Sequence, residues 1–138
     1  MDHKVLKEQL IRQEGLIKHA YTCPAGFLTI GVGRLIDKRR GGGLSDDEVM
    51  YLLDNDIDRF THALQSQLDF FDELNETQKH ALINMAFQLG VNGLLSFKNT
   101  LGLMRLGRYA EAHAEALKSR WAKQTPNRAA EVARMLEG

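Results

Sequence analysis

The clearest periodicity in the chain runs from Val49 to Leu64. Val49, Leu52, Leu53, Ile57, Phe60 and Leu64 recur at steps of 3, 1, 4, 3 and 4, which predicts a one-faced helix of about six turns. Ser45-Asp46-Asp47-Glu48 precedes it in the S-x-x-E form of a capping box, with acids suited to a helix N-terminus. A first helix is expected over 3–13, with Leu6 and Leu10 spaced i, i+4, and Gly15 ends that pattern. Asn75 is the next cap, and Ala81-Leu82-Ile83-Asn84-Met85-Ala86-Phe87 is apolar nearly all round, as in a buried central helix broken by Gly90 and Gly93. Helices around 97–106 and 108–119 follow, separated by Gly107. The last begins at Thr125-Pro126, an N-cap followed by Pro at the first helical position.

Residues 20–33 follow a different period. Cys23-Pro24-Ala25-Gly26 carries a type I turn signature. From Phe27 to Gly33 the chain alternates as a strand, with Leu28, Ile30 and Val32 on one face and Thr29, Gly31 and Gly33 on the other. A hairpin with one face almost bare of side chains is the economical reading. The expected fold class is α+β and predominantly α-helical. It comprises a small hairpin lobe over about 13–44, a connecting helix over about 45–66, and a larger helical lobe over about 67–138 that includes the N-terminal helix. Clefts between lobes favour ligands.

With 138 residues, 43% hydrophobic and 26% charged, the chain has the composition of one globular domain and not of a disordered one. Its net charge of zero conceals a pattern: residues 1–43 carry +4, residues 44–78 carry −9 and residues 79–138 carry +5. Basic ends suit a polyanion, although solvated helix faces give the same count. The single Cys23 excludes an internal disulfide and a multi-cysteine zinc site. His3, His19, His62, His80 and His113 lack any ligand spacing, so neither a metal nor another cofactor is expected. No apolar run has the form of a secretory segment or a membrane span. Lys38-Arg39-Arg40 reads as a solvated loop.

Glu14 is the only carboxylate near the hairpin in sequence, since no Asp or Glu occurs from Gly15 to Ile36. The two-carboxylate arrangement of most glycosidases would therefore need a second acid from elsewhere in the chain. Taken singly, an isolated Glu is usually solvated surface, an isolated Cys is usually inert packing, and a strand Thr is by default structural. In combination, Glu14, eight residues, Cys23, five residues and Thr29 sit inside "EGLIKHAYTCPAGFLTIGVGR". This segment closely resembles the catalytic segment of the T-even phage lysozyme family, the endolysins that cut bacterial cell walls. Its pattern there is Glu-x8-Asp/Cys-x5-Thr with T-I-G-[IV]-G. "ALINMAFQLG", "KSRW" and "QTPNRA" resemble the family's core helix and its cleft-lining C-terminal segment. The likeness is close over 10–36 and 80–132 and holds as a pattern over 37–78. Arg34 stands where relatives commonly carry His.

The resemblance implies a lysozyme-like fold with the active-site cleft between the lobes. The implied substrate is peptidoglycan, cut between N-acetylmuramic acid and N-acetylglucosamine. Glu14 would be the general acid, with Cys23 and Thr29 positioning the attacking water. Arg128 would orient Glu14, and a bound sugar's desolvation would keep the acid protonated. Free thiols titrate near about 8.5, so Cys23 either polarises water or attacks the anomeric carbon directly; likeness to inverting enzymes favours water. Leu35 and Phe87 match family substrate contacts, while Thr100 and Glu115 occupy two further contact positions with different residues. Asn84 and Gln88, polar in an apolar helix, need partners; core hydrogen bonding is one reading and lining the sugar cleft the other, which is favoured for Gln88. Trp121 is expected in the core. Arg34 is expected to pair with Asp56.

The implied protein is a monomer with peptidoglycan as its partner, without nucleic acid and without stable membrane insertion. It would wait in a bacterial host's cytoplasm until a separate membrane-permeabilising protein lets it reach the periplasm and wall. Three other readings stay open: a lytic transglycosylase giving a 1,6-anhydro product, a non-catalytic peptidoglycan-binding module, and a thiol hydrolase of the peptide stems using Cys23 with a histidine such as His19.

Overall fold

A computed structural model describes residues 3–38 and 41–138, so Arg39 and Arg40 of the basic run lie outside the described residues, as does the side chain of Leu6. The chain divides into two compact units, residues 1–51 and 52–138. The architecture is α+β and mostly helical, with one small antiparallel sheet.

In the first unit, helix α1 (His3–Glu14) ends where Gly15 takes φ +82° and returns its N–H to the Ile11 carbonyl at 2.8 Å. Glycine reaches that left-handed conformation without a Cβ penalty. Strand β1 (Ile17–Thr22) leads to the turn, where the Gly26 N–H donates to the Cys23 carbonyl and the Cys23 N–H to the Phe27 carbonyl, both at 2.8 Å. The predicted turn is thus present, closed by Gly26 at φ +89°. Strand β2 (Leu28–Gly31) runs in the middle of the sheet, with Thr29 opposite Tyr21 on β1 and opposite Leu35 on β3 (Arg34–Leu35). The two-residue β3 is too short for hydrophobic alternation to reveal.

The faces of β2 are used in a way the alternation does not suggest. Thr29, on the sparse face, is 2% exposed, whereas Leu28 is 51% exposed. Thr29 is flanked on both sides by neighbouring strands, and its hydroxyl donates to the Phe27 carbonyl at 2.9 Å, which makes its burial tolerable. Among the described residues of this unit it is the one buried side chain.

Helix α2 (Asp46–Gln67) begins with the predicted capping box: the Glu48 N–H donates to Ser45 Oγ at 3.2 Å, and the Ser45 N–H donates to Glu48 Oε1 at 2.9 Å. Glu48 also takes the expected place of Asp56. Arg34 Nη1 donates to Glu48 Oε1 at 2.8 Å and to the Gly43 carbonyl at 3.1 Å, while Asp56 pairs with Arg59 one turn along its own helix. Glu48 wins because it sits in the first turn, next to the loop that leaves β3. The dividing line of the two units falls within α2, so α1 belongs to the same unit as the sheet, whereas the sequence groups it with the helical lobe.

The second unit surrounds helix α3 (Glu76–Leu89), which follows a 3-10 turn (Phe71–Glu73). Asn75 caps α3 in a full capping box with Gln78. Gly90, at φ +80°, ends α3 as expected, but Gly93 breaks nothing: it lies inside α4 (Val91–Leu95), and a Cβ there would fall 2.9 Å from Leu89 Cβ. Close packing, not chain reversal, is what that glycine permits. Helices α5 (Lys98–Arg105) and α6 (Tyr109–Ala116) flank Gly107 as predicted, with the segment beyond α6 forming a separate α7 (Arg120–Gln124) capped by Ser119. Helix α8 (Pro126–Met135) starts at the expected proline, but the Thr125 side chain does not cap it; its hydroxyl donates to the Trp121 carbonyl at 3.0 Å. Leu64, Phe71, Leu82, Met85, Leu94 and Leu136 are fully buried in the resulting core. Among the described residues no helix is long and apolar enough to cross a membrane.

The Arg34 pair and the Ser45 N–H hold the Glu48 carboxyl down at about 2. A carboxyl whose folded value is depressed stabilises the fold above its unfolded value, near about 4.3, and loses that contribution as the pH falls through the folded one. Glu48→Gln keeps a cap acceptor but removes the charge. At neutral pH it should speed amide exchange at Gly43 and Val49, and the ratio to wild type should shrink toward one between about pH 4 and 2. A ratio independent of pH contradicts this role.

Candidate active site

Glu14 is the last residue of α1, and its carboxyl lies against the turn joining β2 to β3. A Cβ built on Gly33 would sit 3.3 Å from Glu14 Oε2. The C-terminal glycine of α1 turns the chain directly into β1, and this brings the helix end and the hairpin of the same unit together. Glu14 is exposed.

Cys23 opens the β1–β2 turn and is partly exposed. Its thiol is shifted below its ordinary value, chiefly because the Phe27 amide points at the sulfur. The Thr29 hydroxyl and the Ala25 and Gly26 amides act in the same direction, and desolvation opposes them. A turn that aims several N–H groups at one atom favours negative charge there. Thr29 therefore lies within reach of both the Cys23 sulfur and the Phe27 carbonyl. A hydroxyl has one proton, so it serves one acceptor at a time and keeps lone pairs for another donor. The structure thus brings together Cys23 and Thr29, with Leu35 beside Thr29 on the neighbouring strand.

The other expected contact residues belong to the second unit. Arg128 on α8 is held by Asn84 of α3: Nη2 and Nε donate to Asn84 Oδ1 at 2.8 and 3.1 Å, and Nη2 reaches the Asn84 carbonyl at 3.3 Å. Asn84 thereby finds its partner in a fixed arginine. Phe87 is 44% exposed and packs on Phe60 with ring centroids 5.4 Å apart. Together Phe87, Asn84, Arg128, His80, Ile83 and Ile57 line a cavity of about 420 Å³. His80 and Ile83 escape sequence reasoning because nothing local marks them; only α3's rotation places them beside Phe87.

Gln88 spends its amide internally. Its Oε1 accepts from Trp121 Nε1 at 2.9 Å and its Nε2 donates to Thr125 Oγ1 at 3.4 Å, which is the core hydrogen-bonding alternative of the two readings. Trp121 is buried, as expected, with its edge toward Phe97. Thr100, 3% exposed, lies at a second cavity of about 440 Å³ that Glu115, Phe97, Trp121 and Arg120 also line. Among the described residues, no three His, Cys, Asp or Glu side chains come together to hold a metal ion.

Comparison with known proteins finds a family and several relatives. The sequence profile of the phage lysozyme family matches residues 11–135. A probable T4-type lysozyme 1 of Dictyostelium discoideum is 30% identical over 96% of this chain and 93% of its own length. An endolysin of Acyrthosiphon pisum secondary endosymbiont phage 1 is 29% identical over 84% of this chain and 76% of its own. The pre-baseplate central spike protein Gp5 of Enterobacteria phage T4 is 28% identical over 92% of this chain, which spans 26% of that longer protein.

The Cys23 environment predicts its reactivity. Because the thiol is shifted downward, the alkylation rate with iodoacetamide should reach half its maximum at a pH below that of a free cysteine. Thr29→Val removes one of the stabilising donors and should move that midpoint up. Identical midpoints in the two proteins contradict the pairing.

Proposed function

The chain belongs to the phage lysozyme family and is a glycoside hydrolase of lysozyme type; from this premise we propose that it cuts the β-1,4 bond between N-acetylmuramic acid and N-acetylglucosamine in bacterial peptidoglycan. The observation that carries the reading is the placement, in one small unit, of an exposed carboxyl at a helix end and a thiol shifted below its ordinary value beside a hydroxyl. Glu14 gives its proton to the departing glycosidic oxygen. A water on the far side of the sugar gives a proton to the Cys23 sulfur while its oxygen bonds to the anomeric carbon. The Thr29 oxygen fixes that water's orientation. After product leaves, Cys23 returns its proton to solvent and Glu14 takes one up, so the cycle closes.

One feature supports water attack over direct attack by sulfur. Thr29 has acceptor capacity left beside the thiol, which a covalent route does not need. In the first unit Leu35 is the proposed apolar contact for a sugar ring; in the second, Phe87 and Thr100 are the proposed contacts, while Gln88 is spent on Trp121 and Thr125. The cell-wall substrate places the action in the periplasm of a bacterial host. The proposed route there is release from the cytoplasm by a separate permeabilising protein, the lysozyme itself working as a monomer.

Mass spectrometry of fragments from purified peptidoglycan tests the reading. The wild type should release fragments with new reducing muramic acid ends. Glu14→Gln should lower their rate of appearance by about 10²–10⁴, the usual worth of general acid catalysis. Anhydro ends would convert the reaction to transglycosylation, and intact strands with both proteins would remove the activity altogether.

A further inference from the structure

Two glycines of the β2–β3 hairpin share a backbone conformation but not an environment. Gly31 has φ +72° and Gly33 has φ +73°. A Cβ on Gly31 would meet nothing within 4 Å. A Cβ on Gly33 would lie 3.3 Å from Glu14 Oε2 and 3.6 Å from both Cδ and Cγ. A separation of 3.3 Å is tighter than ordinary contact, so the carboxyl would have to move by a few tenths of an ångström.

Resting on the reading of Glu14 as general acid, we propose that Gly33 is a positioning residue: its bare Cα is the seat that fixes where the Glu14 carboxyl stands. Glu14 has three side-chain torsions and sits at an exposed helix end, where many rotamers are open to it. The Glu14 side chain, along Cγ, Cδ and Oε2, lies at the space that a Gly33 Cβ would fill. A glycine at this point lets the backbone approach the acid without covering it, so the carboxyl is located and still open to a substrate oxygen. Any other L residue at Gly33 carries a Cβ into that space. Gly31 is two residues away, has the same φ and lacks the contact, so it separates the cost of a left-handed backbone from the cost of displacing the acid.

The test compares Gly33→Ala with Gly31→Ala on soluble, uncross-linked glycan strands. Both substitutions carry the same left-handed backbone strain, and Gly33→Ala should lower thermal stability further by its extra crowding against Glu14. Gly31→Ala should keep kcat within about twofold of wild type, whereas Gly33→Ala should lose about tenfold or more in kcat with KM within about twofold, because misplacement of a reacting group affects the chemical step. A uniform loss in both variants, or a loss confined to KM in Gly33→Ala, overturns the proposal. Stability gives a second reading that holds even if Gly33→Ala folds poorly. Adding Glu14→Ala removes the crowded carboxyl, so the double variant should recover the stability of Gly31→Ala. No recovery overturns the contact itself. If Glu14→Gln remains fully active, the general-acid reading fails, while the stability comparison still decides whether Gly33 seats the side chain.

Discussion

The larger unit depends on one constraint: the core-facing side of helix α3 carries amides that must find partners inside the protein. Three of them do so by tying α3 to the C-terminal segment. Gln78, 2% exposed, takes the Asn75 N–H and donates to the Leu136 carbonyl at 3.0 Å, which closes the chain's end onto the start of α3. Asn84 holds Arg128, and Gln88 holds Trp121 and Thr125. An unsatisfied buried amide costs about 1–3 kcal/mol, so the same bonds that make the helix tolerable also set the positions of α7 and α8. Arg128, although exposed, is consequently held in one direction by Asn84.

The small unit is held by different means. Among its described residues no hydrophobic side chain is fully buried, so packing contributes little to its shape. Backbone hydrogen bonds, the Ser45–Glu48 capping box, the Arg34–Glu48 pair and glycines with positive φ define the path of the chain instead. Part of this framework also serves the proposed chemistry. The Cys23–Gly26 turn aims amides at the sulfur, the central strand holds Thr29 beside it, and the β2–β3 turn meets Glu14. A unit built this way positions Glu14, Cys23 and Thr29 by backbone geometry more than by side-chain packing.

Local signals in the sequence were the legible ones. The Ser45 box, the Asn75 cap, the turn after Cys23 and the long period of α2 each depend on residues within a few positions, and each is found in the structure. What was hidden depended on distant partners. Arg34 had to choose between carboxylates on α2, and proximity to the loop favoured Glu48 over Asp56. Thr125 had the form of a cap, but its hydroxyl donates to the Trp121 carbonyl and accepts from Gln88 Nε2 instead. Gly93 had the form of a break, yet a helix interior that touches Leu89 needs a glycine just as much. Of the site, Glu14, Cys23 and Thr29 could be marked from their spacing and its resemblance to a family. The role of Gly33 could not, because only the fold brings it to Glu14.

The central claim is that water, oriented by Cys23 and Thr29, attacks the sugar from the face opposite the leaving group. The stereochemistry of the first product tests it most directly. Proton NMR of soluble glycan strands, recorded within seconds of mixing at high enzyme concentration, should show the α-anomer of the new reducing end before mutarotation. Early appearance of the β-anomer would mean a double displacement through a Cys23 adduct and would contradict the account.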